Sequence, residues 1–345
     1  MNVPFDLDPT PEQDELVRTF SSLLAVHSTP EAVRRAEQLG HDPSLWSELV
    51  QLGAVVMGVP EHDGGWGATL LDLTLVAEEL GRACAPVPAV EAQVAARTLA
   101  AAGGAATAEA LGRILAGESL VTIALHPARG GVAAMVPGGA VCDALLVVVD
   151  GRLVLVEVDE GRRRPIANLA GAPFADVELG DGTLVADGSA AEELFQVALD
   201  EWMVLTAGAL VGLSDAALGL ACGHASERHA FGRPIGAYQA ISHRLADDVT
   251  AVEGARLLAR KAAWCLDGDG ARGRELAAMA FAFASEAAEV ATYDALHTHG
   301  GYGFTVEYDV QLHHRRARGW PRAWGGAPEA LARVAEVRYP PEAVA

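Results

Sequence analysis

The sequence predicts three consecutive parts: a helical domain, a small β domain and a second helical domain. In the first part apolar residues recur every three or four positions, which is the period of an amphipathic helix. From about residue 119, short runs rich in valine and leucine and bounded by glycine or aspartate replace that pattern, as is typical of strands. After Ala190, long alanine-rich runs with helical spacing return. We place the domain boundaries at residues 1–117, 118–192 and 193–345.

The length and charge of the chain exclude several classes of function. A chain of 345 residues exceeds what one hydrophobic core normally accommodates, so several domains are expected. The formal net charge of −21 argues against binding to nucleic acid or to anionic membranes, because both need a basic surface. Residues 1–20 carry acidic residues and no apolar signal segment, and the four cysteines show no CxxC spacing. We therefore expect a cytoplasmic protein with reduced thiols.

Local signals mark the helices of the first part. Thr10 and Gln13 have the spacing of a capping box, and Pro11 suits a first helical turn, so we predict a helix from Pro11 onward. Two further helices are predicted at residues 45–52 and 70–82, on either side of a glycine-rich loop.

Turn residues predict two hairpins in the β domain. Asp150 and Gly151 stand between two apolar runs, and both central residues of such a turn need positive φ. The segment from Gly180 to Gly182 is interpreted in the same way. The strands are predicted at residues 121–125, 144–149, 153–158, 174–179 and 183–185.

The last part of the chain is predicted to be a helical bundle. Its apolar runs are long, rich in alanine and free of internal proline, which favours helices. The four predicted helices lie at residues 204–230, 240–267, 275–296 and 329–337. The pair Gly300-Gly301 follows the third helix as a stop signal.

Three groups of residues resemble the acyl-CoA dehydrogenase family. They are residues 59–65 with 77–82, residues 227–235 with Tyr238, Gln239 and 245–247, and residues 300–304 with Glu307, Tyr308 and Arg315. The second group contains the turn Arg228-His229-Ala230-Phe231-Gly232-Arg233-Pro234. All three keep the family's order and approximate spacing over nearly the whole chain. The resemblance implies an acyl-CoA dehydrogenase-like fold: an N-terminal α-helical domain, a middle β domain, here reduced, and a C-terminal four-helix bundle.

The resemblance also implies an FAD cofactor and residues that contact it. In the family the matching arginine, phenylalanine and glutamine reach the ADP part of an FAD seated mainly in a neighbouring subunit. A guanidinium suits a pyrophosphate, and glycine permits a close backbone approach. Taken alone, Arg228 would be a surface ion pair with Glu227, and the glycines a helix end. The candidate FAD-binding residues are Arg228, Phe231, Gln239, Gly300, Gly301 and His297, which stands where a glutamine is usual.

The family's catalytic base is missing from its usual position. The family reaction removes two hydrogens across the Cα–Cβ bond of an acyl-CoA thioester. A carboxylate takes the α proton while the flavin takes the β hydrogen as hydride. Trp324 occupies the usual glutamate position, and Trp202 occupies the family's alternative position. Glu201 is one residue, or about 100° of helix, away from that alternative position, and is the remaining candidate; the base is otherwise unknown.

Other departures point to a heteromer. The segment Ala124-Leu125-His126-Pro127 lacks the threonine and glutamate of the family's flavin-ring strand. Groups aimed at a neighbour's FAD are kept, while the chain's own ring site and base are lost. This pattern is similar to the small subunit of heteromeric α2β2 actinobacterial steroid side-chain acyl-CoA dehydrogenases. It implies a larger acyl-CoA dehydrogenase subunit as partner, a bulky acyl-CoA substrate, and an electron-transfer flavoprotein as acceptor.

Two alternatives stay open at this point. The chain could be a self-sufficient homotetrameric dehydrogenase that uses Glu201, or a non-catalytic scaffold of the same fold. A metal enzyme is not expected, because no carboxylate completes a ligand spacing with the histidines at positions 297, 299, 313 and 314.

Overall fold

The computed structural model describes residues 8–268 and 270–339. The first part is helical, as predicted. Its helices are α1 (Pro11–His27), α2 (Pro30–Ala36), α3 (Pro43–Gln51), α4 (Leu70–Arg82), α5 (Ala89–Ala102) and α6 (Ala105–Leu115). The capping box is confirmed: the Gln13 amide donates to Thr10 Oγ1 at 3.3 Å, and the Thr10 amide donates to Gln13 Oε1 at 3.0 Å.

Seven strands follow and form two sheets. They are β1 (Val121–Ile123), β2 (Val132–Val136), β3 (Ala144–Val149), β4 (Arg152–Glu157), β5 (Arg163–Pro165), β6 (Ala175–Glu178) and β7 (Gly182–Asp187). The first sheet has the order β1-β3-β4-β7, and the second has the order β2-β6-β5. The predicted turn between β3 and β4 is confirmed, with φ values of 49° at Asp150 and 75° at Gly151.

The second predicted hairpin is wrong. Strands β6 and β7 do not pair with each other: β6 lies between β2 and β5, whereas β7 pairs antiparallel with β4. The bend from Gly180 to Gly182 therefore carries the chain from one sheet to the other. A tight bend between two strands gives the same local sequence signal in both cases, and the partner of each strand is set by distant residues.

The last part is the predicted helical bundle. Its elements are α7 (Gly188–Glu227), β8 (His229–Ala230), β9 (Arg233–Pro234), α8 (Gln239–Gly268), α9 (Gly270–Thr298), α10 (Val310–Gly319) and α11 (Ala327–Arg338). Helix α7 begins well before the predicted residue 204 and ends before Ala230, where the short hairpin of β8 and β9 takes over. Helix α10 was not predicted.

Helix α7 forms the centre of the molecule. It is long and apolar enough to cross a membrane, but 78% of its most apolar window is buried by the rest of the chain. It packs against α4, α5, α8 and α9. Glycines let α4 and α7 touch at backbone distance: a Cβ at Gly81 would lie 1.8 Å from the Ala209 carbonyl oxygen, and one at Gly212 would lie 1.8 Å from that of Glu78. A larger residue at either position would push the two helices apart.

Candidate functional site

The Arg228 turn is a hairpin that extends from the end of α7. Tyr238 holds it from two sides: its hydroxyl donates to the Ala230 carbonyl at 2.9 Å, and its ring lies 4.1 Å from the guanidinium carbon of Arg233. Phe231 is at the tip, with φ of 52° and 97% of its surface exposed. A rigid hairpin thus presents Arg228 and an apolar ring to the outside of the chain.

The glycine loop after α9 is exposed as well. A Cβ added at Gly300 or Gly301 would meet no atom of the described residues within 4 Å, whereas one at Gly303 would come within 2.4 Å of the Leu296 carbonyl oxygen. Gly300 has a positive φ of 63°, which accounts for glycine there. Gly303 is required by packing. Among residues 8–268 and 270–339 neither reason applies to Gly301, and the open space beside it suits the close approach of a group from outside.

Two histidines bring these segments together. The amide of Arg228 donates to the His224 carbonyl at 2.8 Å, so the two residues are one helical turn apart. The His224 ring stacks on that of His299, with centroids 4.5 Å apart and 25° between the planes. His299 directly precedes Gly300. Arg228, Phe231, Gly300 and Gly301 therefore lie on one side of the molecule, which we call the Arg228–Gly301 surface.

The other two candidate FAD-binding residues are also exposed. Gln239 is the first residue of α8 and directly follows Tyr238, the anchor of the hairpin. His297 lies in the last turn of α9, where its ring stacks on Tyr293 with centroids 6.2 Å apart and 20° between the planes. All six candidates thus face outward rather than into the core.

A row of aromatic rings joins the two positions where the base is expected. Trp324 meets Phe281 edge to face, with centroids 6.0 Å apart, and Phe281 meets Trp202 with centroids 5.4 Å apart. Trp202 is only 1% exposed. None of the three rings can accept a proton from carbon at neutral pH.

Glu201 forms an ion pair with Arg97 and lines a cavity that contains neither Trp202 nor Trp324. Its two carboxylate oxygens accept hydrogen bonds from Arg97 Nε and Nη2 at 3.0 and 2.7 Å. Arg97 also donates to the Gly58 carbonyl at 2.9 Å, which fixes the guanidinium. Charged side chains line the cavity beside Glu201, among them those of Asp200, Asp267 and Arg274. Arg97 engages both oxygens of this carboxylate, and neither Trp202 nor Trp324 lines the cavity, so the geometry speaks against Glu201 as the base.

Sequence reasoning missed one carboxylate near the aromatic row. The Trp202 Nε1–H group donates to Glu91 Oε1 at 3.0 Å. Glu91 lies in the first turn of α5, in an apolar run without a recognisable motif, so only the tertiary contact reveals it. In residues 8–268 and 270–339 no group of three or more His, Cys, Asp or Glu side chains is placed to hold a metal ion.

Comparison with family models assigns the chain to a class of enzymes. The acyl-CoA dehydrogenase N-terminal domain matches residues 10–118, and the acyl-CoA dehydrogenase C-terminal domain matches residues 193–337. The chain belongs to the acyl-CoA dehydrogenase family of flavoprotein oxidoreductases. Its fold is that of the family, as the sequence predicted.

Several known proteins are similar to this chain over nearly its whole length. Acyl-CoA dehydrogenase IpdE2 of Mycolicibacterium smegmatis is 34% identical over 334 residues, which cover 94% of this chain and 98% of that protein. A chain of the ChsE4–ChsE5 complex from Mycobacterium tuberculosis matches with a TM-score of 0.87 and 27% identity, covering 98% of this chain and 100% of that one. A chain of the Tcur3481–Tcur3483 steroid ACAD matches with a TM-score of 0.86 and 27% identity, covering 95% and 97%. The predicted resemblance to heteromeric steroid-type enzymes is confirmed.

Proposed function

We propose that this chain is one subunit of a heteromeric, FAD-dependent acyl-CoA dehydrogenase whose larger subunit supplies the catalytic base. The reaction is α,β-desaturation of an acyl-CoA thioester. The observation that carries the proposal is the exposure of all six candidate FAD-binding residues in a chain with tryptophan at both base positions. Groups that point outward can serve a cofactor seated in a neighbouring subunit.

The exposed residues fit the ADP part of FAD. Arg228 offers the fixed donors that a pyrophosphate prefers, and Gly300 and Gly301 leave the backbone open to close approach. Phe231 offers an apolar face at the hairpin tip. When bound, FAD accepts the hydride that leaves the β carbon. In this proposal Arg228, Phe231, Gln239, His297, Gly300 and Gly301 bind and orient the cofactor, and take no part in proton transfer.

Exposed apolar stripes on α8 and α9 support a partner subunit. Neighbouring residues of each stripe are three, seven or eight positions apart. This is helical spacing, so the residues of a stripe share one face of their helix. They are Val249, Leu257 and Trp264 on α8, and Phe283, Val290 and Tyr293 on α9, all between 39% and 54% exposed. Large apolar side chains exposed repeatedly along one helix face are typical of an interaction site in a folded protein. We propose that a larger acyl-CoA dehydrogenase subunit packs against these two stripes in an α2β2 assembly.

The substrate class follows from the relatives. The Tcur3481–Tcur3483 enzyme is described as a steroid ACAD, so a bulky acyl-CoA of the steroid side-chain type is proposed for this chain. The corresponding role is in lipid metabolism, in steroid catabolism in the cytoplasm, with an electron-transfer flavoprotein as acceptor.

Co-expression tests this function. A tag on this chain alone, with a larger acyl-CoA dehydrogenase relative expressed beside it, should retrieve both chains and an acyl-CoA-dependent reduction of an artificial electron acceptor. The chain purified by itself should show none. Activity of the isolated chain would favour the homotetramer, and an inactive, flavin-free complex would favour the scaffold.

A further inference from the structure

The N-terminal domain contacts the far end of the glycine loop, residues 300–305. Helix α2 carries Arg34 to the segment that follows this loop. Arg34 Nε donates to the Val306 carbonyl at 2.9 Å, and Nη2 donates to the Glu307 carbonyl at 2.9 Å. The guanidinium also pairs with the Asp309 carboxylate. One side chain thus binds three acceptors within four residues of the chain.

Hydrogen bonds within and just after the glycine loop are local. The Thr305 amide donates to the Tyr302 carbonyl at 3.0 Å, and the Tyr308 amide donates to the Thr305 carbonyl at 3.3 Å. The rings of Tyr302 and Tyr308 stack with centroids 5.8 Å apart. These contacts shape the segment, but they do not fix its position relative to the other domains.

Two contacts with distant parts of the chain fix that position. At the beginning of the loop, His299 stacks on His224 of α7. At its end, Arg34 binds Val306, from which it is 272 positions distant in sequence. The loop is therefore held from both sides, once by the helical bundle and once by the N-terminal domain.

Helix α2 is itself firmly placed. Ala32, Val33 and Ala36 are buried. Glu37, which directly follows the helix, pairs with Arg315 on α10. Because α2 is anchored in the core and to α10, Arg34 reaches the loop from a fixed position.

A plain surface ion pair does not account for the contacts of Arg34. Exposed ion pairs contribute little to stability, and Arg34 directs two of its donors to backbone carbonyls rather than to a carboxylate. The planar fork of an arginine can bind several acceptors in one fixed geometry, which the single ammonium group of a lysine cannot. Such contacts set the position of a backbone segment.

We propose that Arg34 is a positioning residue for the flavin site, because it holds the glycine loop where Gly301 can closely approach the ADP part of FAD. The inference rests on the proposed function, since it requires a flavin at this loop. Without Arg34 the end of the loop loses three contacts and samples more positions. FAD affinity then falls, because the arrangement that binds FAD is populated less.

The FAD affinity of the complex with a larger relative tests this role. We expect Arg34→Gln to raise the Kd for FAD about tenfold. Arg35→Gln, the exposed neighbour on α2, is the matched control and should bind FAD as the wild type does. Arg34→Lys keeps the charge and should recover part of the loss. Equal FAD affinity of Arg34→Gln and Arg35→Gln, with only thermal unfolding changed, would overturn the proposal.

Hydrogen exchange of the full chain without partner or flavin separates this proposal from the proposed function. Amides of residues 302–309 should exchange about tenfold faster in Arg34→Gln than in Arg35→Gln, while those of α1 stay unchanged. Equal exchange in the two variants would overturn the positioning by Arg34. Faster exchange in Arg34→Gln, together with a wild-type complex that binds no FAD, would contradict the proposed function and leave the hold of Arg34 on the loop intact.

Discussion

The ring of His224 stacks on the ring of His299, with centroids 4.5 Å apart. His224 is one helical turn before Arg228, and His299 directly precedes Gly300, so the stack joins the two motifs of the Arg228–Gly301 surface. Burial lowers the pKa of His224, and the nearby His299 and Arg228 lower it further. Its ring therefore resists protonation, which keeps the stack free of like-charge repulsion at neutral pH.

Replacing Arg228 should weaken flavin binding without unfolding the chain. We expect Arg228→Gln to lower the FAD affinity of the complex about 10- to 100-fold, because a charge-assisted contact to the pyrophosphate is lost. The free energy of unfolding should change by less than about 0.5 kcal/mol, since the residue is exposed. Flavin fluorescence on dilution measures the release. Arg18→Gln on α1, also exposed, is the control; equal FAD affinity of the two variants would refute the assigned role of Arg228.

Two glycines of one loop should respond in opposite ways. Gly303→Ala should destabilise the chain by about 1–3 kcal/mol, because its Cβ would press on the Leu296 carbonyl. In Gly301→Ala the new Cβ would lie within 4 Å of no atom in the part of the chain that the structure describes, so thermal unfolding should stay unchanged while FAD affinity falls. Thermal unfolding combined with flavin titration separates the two effects. Normal FAD affinity of Gly301→Ala would show that no group approaches this backbone closely.

Glu201→Gln should affect stability and not chemistry. Removing the carboxylate leaves Arg97 without its bidentate partner and should cost about 1–3 kcal/mol. The double variant with Arg97→Gln should cost less than the sum of the two single changes. Turnover of the complex per folded molecule should stay within about twofold of the wild type. A folded Glu201→Gln complex with at least about 100-fold lower turnover would make Glu201 the base.

Asp248 on α8 should make stability depend on pH. The pKa of Asp248 is raised from 3.8 to about 6, mainly by burial and also by the charge of Asp294. The charge of Arg244 opposes this rise. As the pH rises from about 4 to about 6, the unfolded chain releases this proton first, so the wild type loses stability across that window. Asp248→Asn should remove this loss and gain up to about 2 kcal/mol at pH 7. Urea unfolding at pH 5 and pH 7 measures it; a gain that is the same at both values would contradict the raised pKa.

Local sequence signals predicted the parts of the fold that local chemistry decides. The capping box at Thr10 and the turn at Asp150 each depend on a few neighbouring residues, and both are present as predicted. The pairing of β7 with β4 could not be predicted, because the bend at Gly180 is compatible with either a hairpin or a change of sheet.

The candidate site also has residues that the sequence indicates and contacts that only the structure shows. The resemblance to the family put forward Arg228 and Gly300 as candidates, but their shared surface depends on the stack of His224, on α7, with His299, which directly follows α9. No short segment encodes this contact. Glu91 carries no motif and becomes visible only through its hydrogen bond to Trp202. The ion pair of Glu201 with Arg97 likewise joins residues that are distant in sequence.

The count of FAD per chain tests most directly whether this chain completes the flavin site of a partner. The complex of this chain with a larger acyl-CoA dehydrogenase relative should contain one FAD for each pair of the two chains. The chain purified alone should retain none. One FAD per chain in the isolated protein would contradict the central claim that this chain completes the flavin site of another subunit.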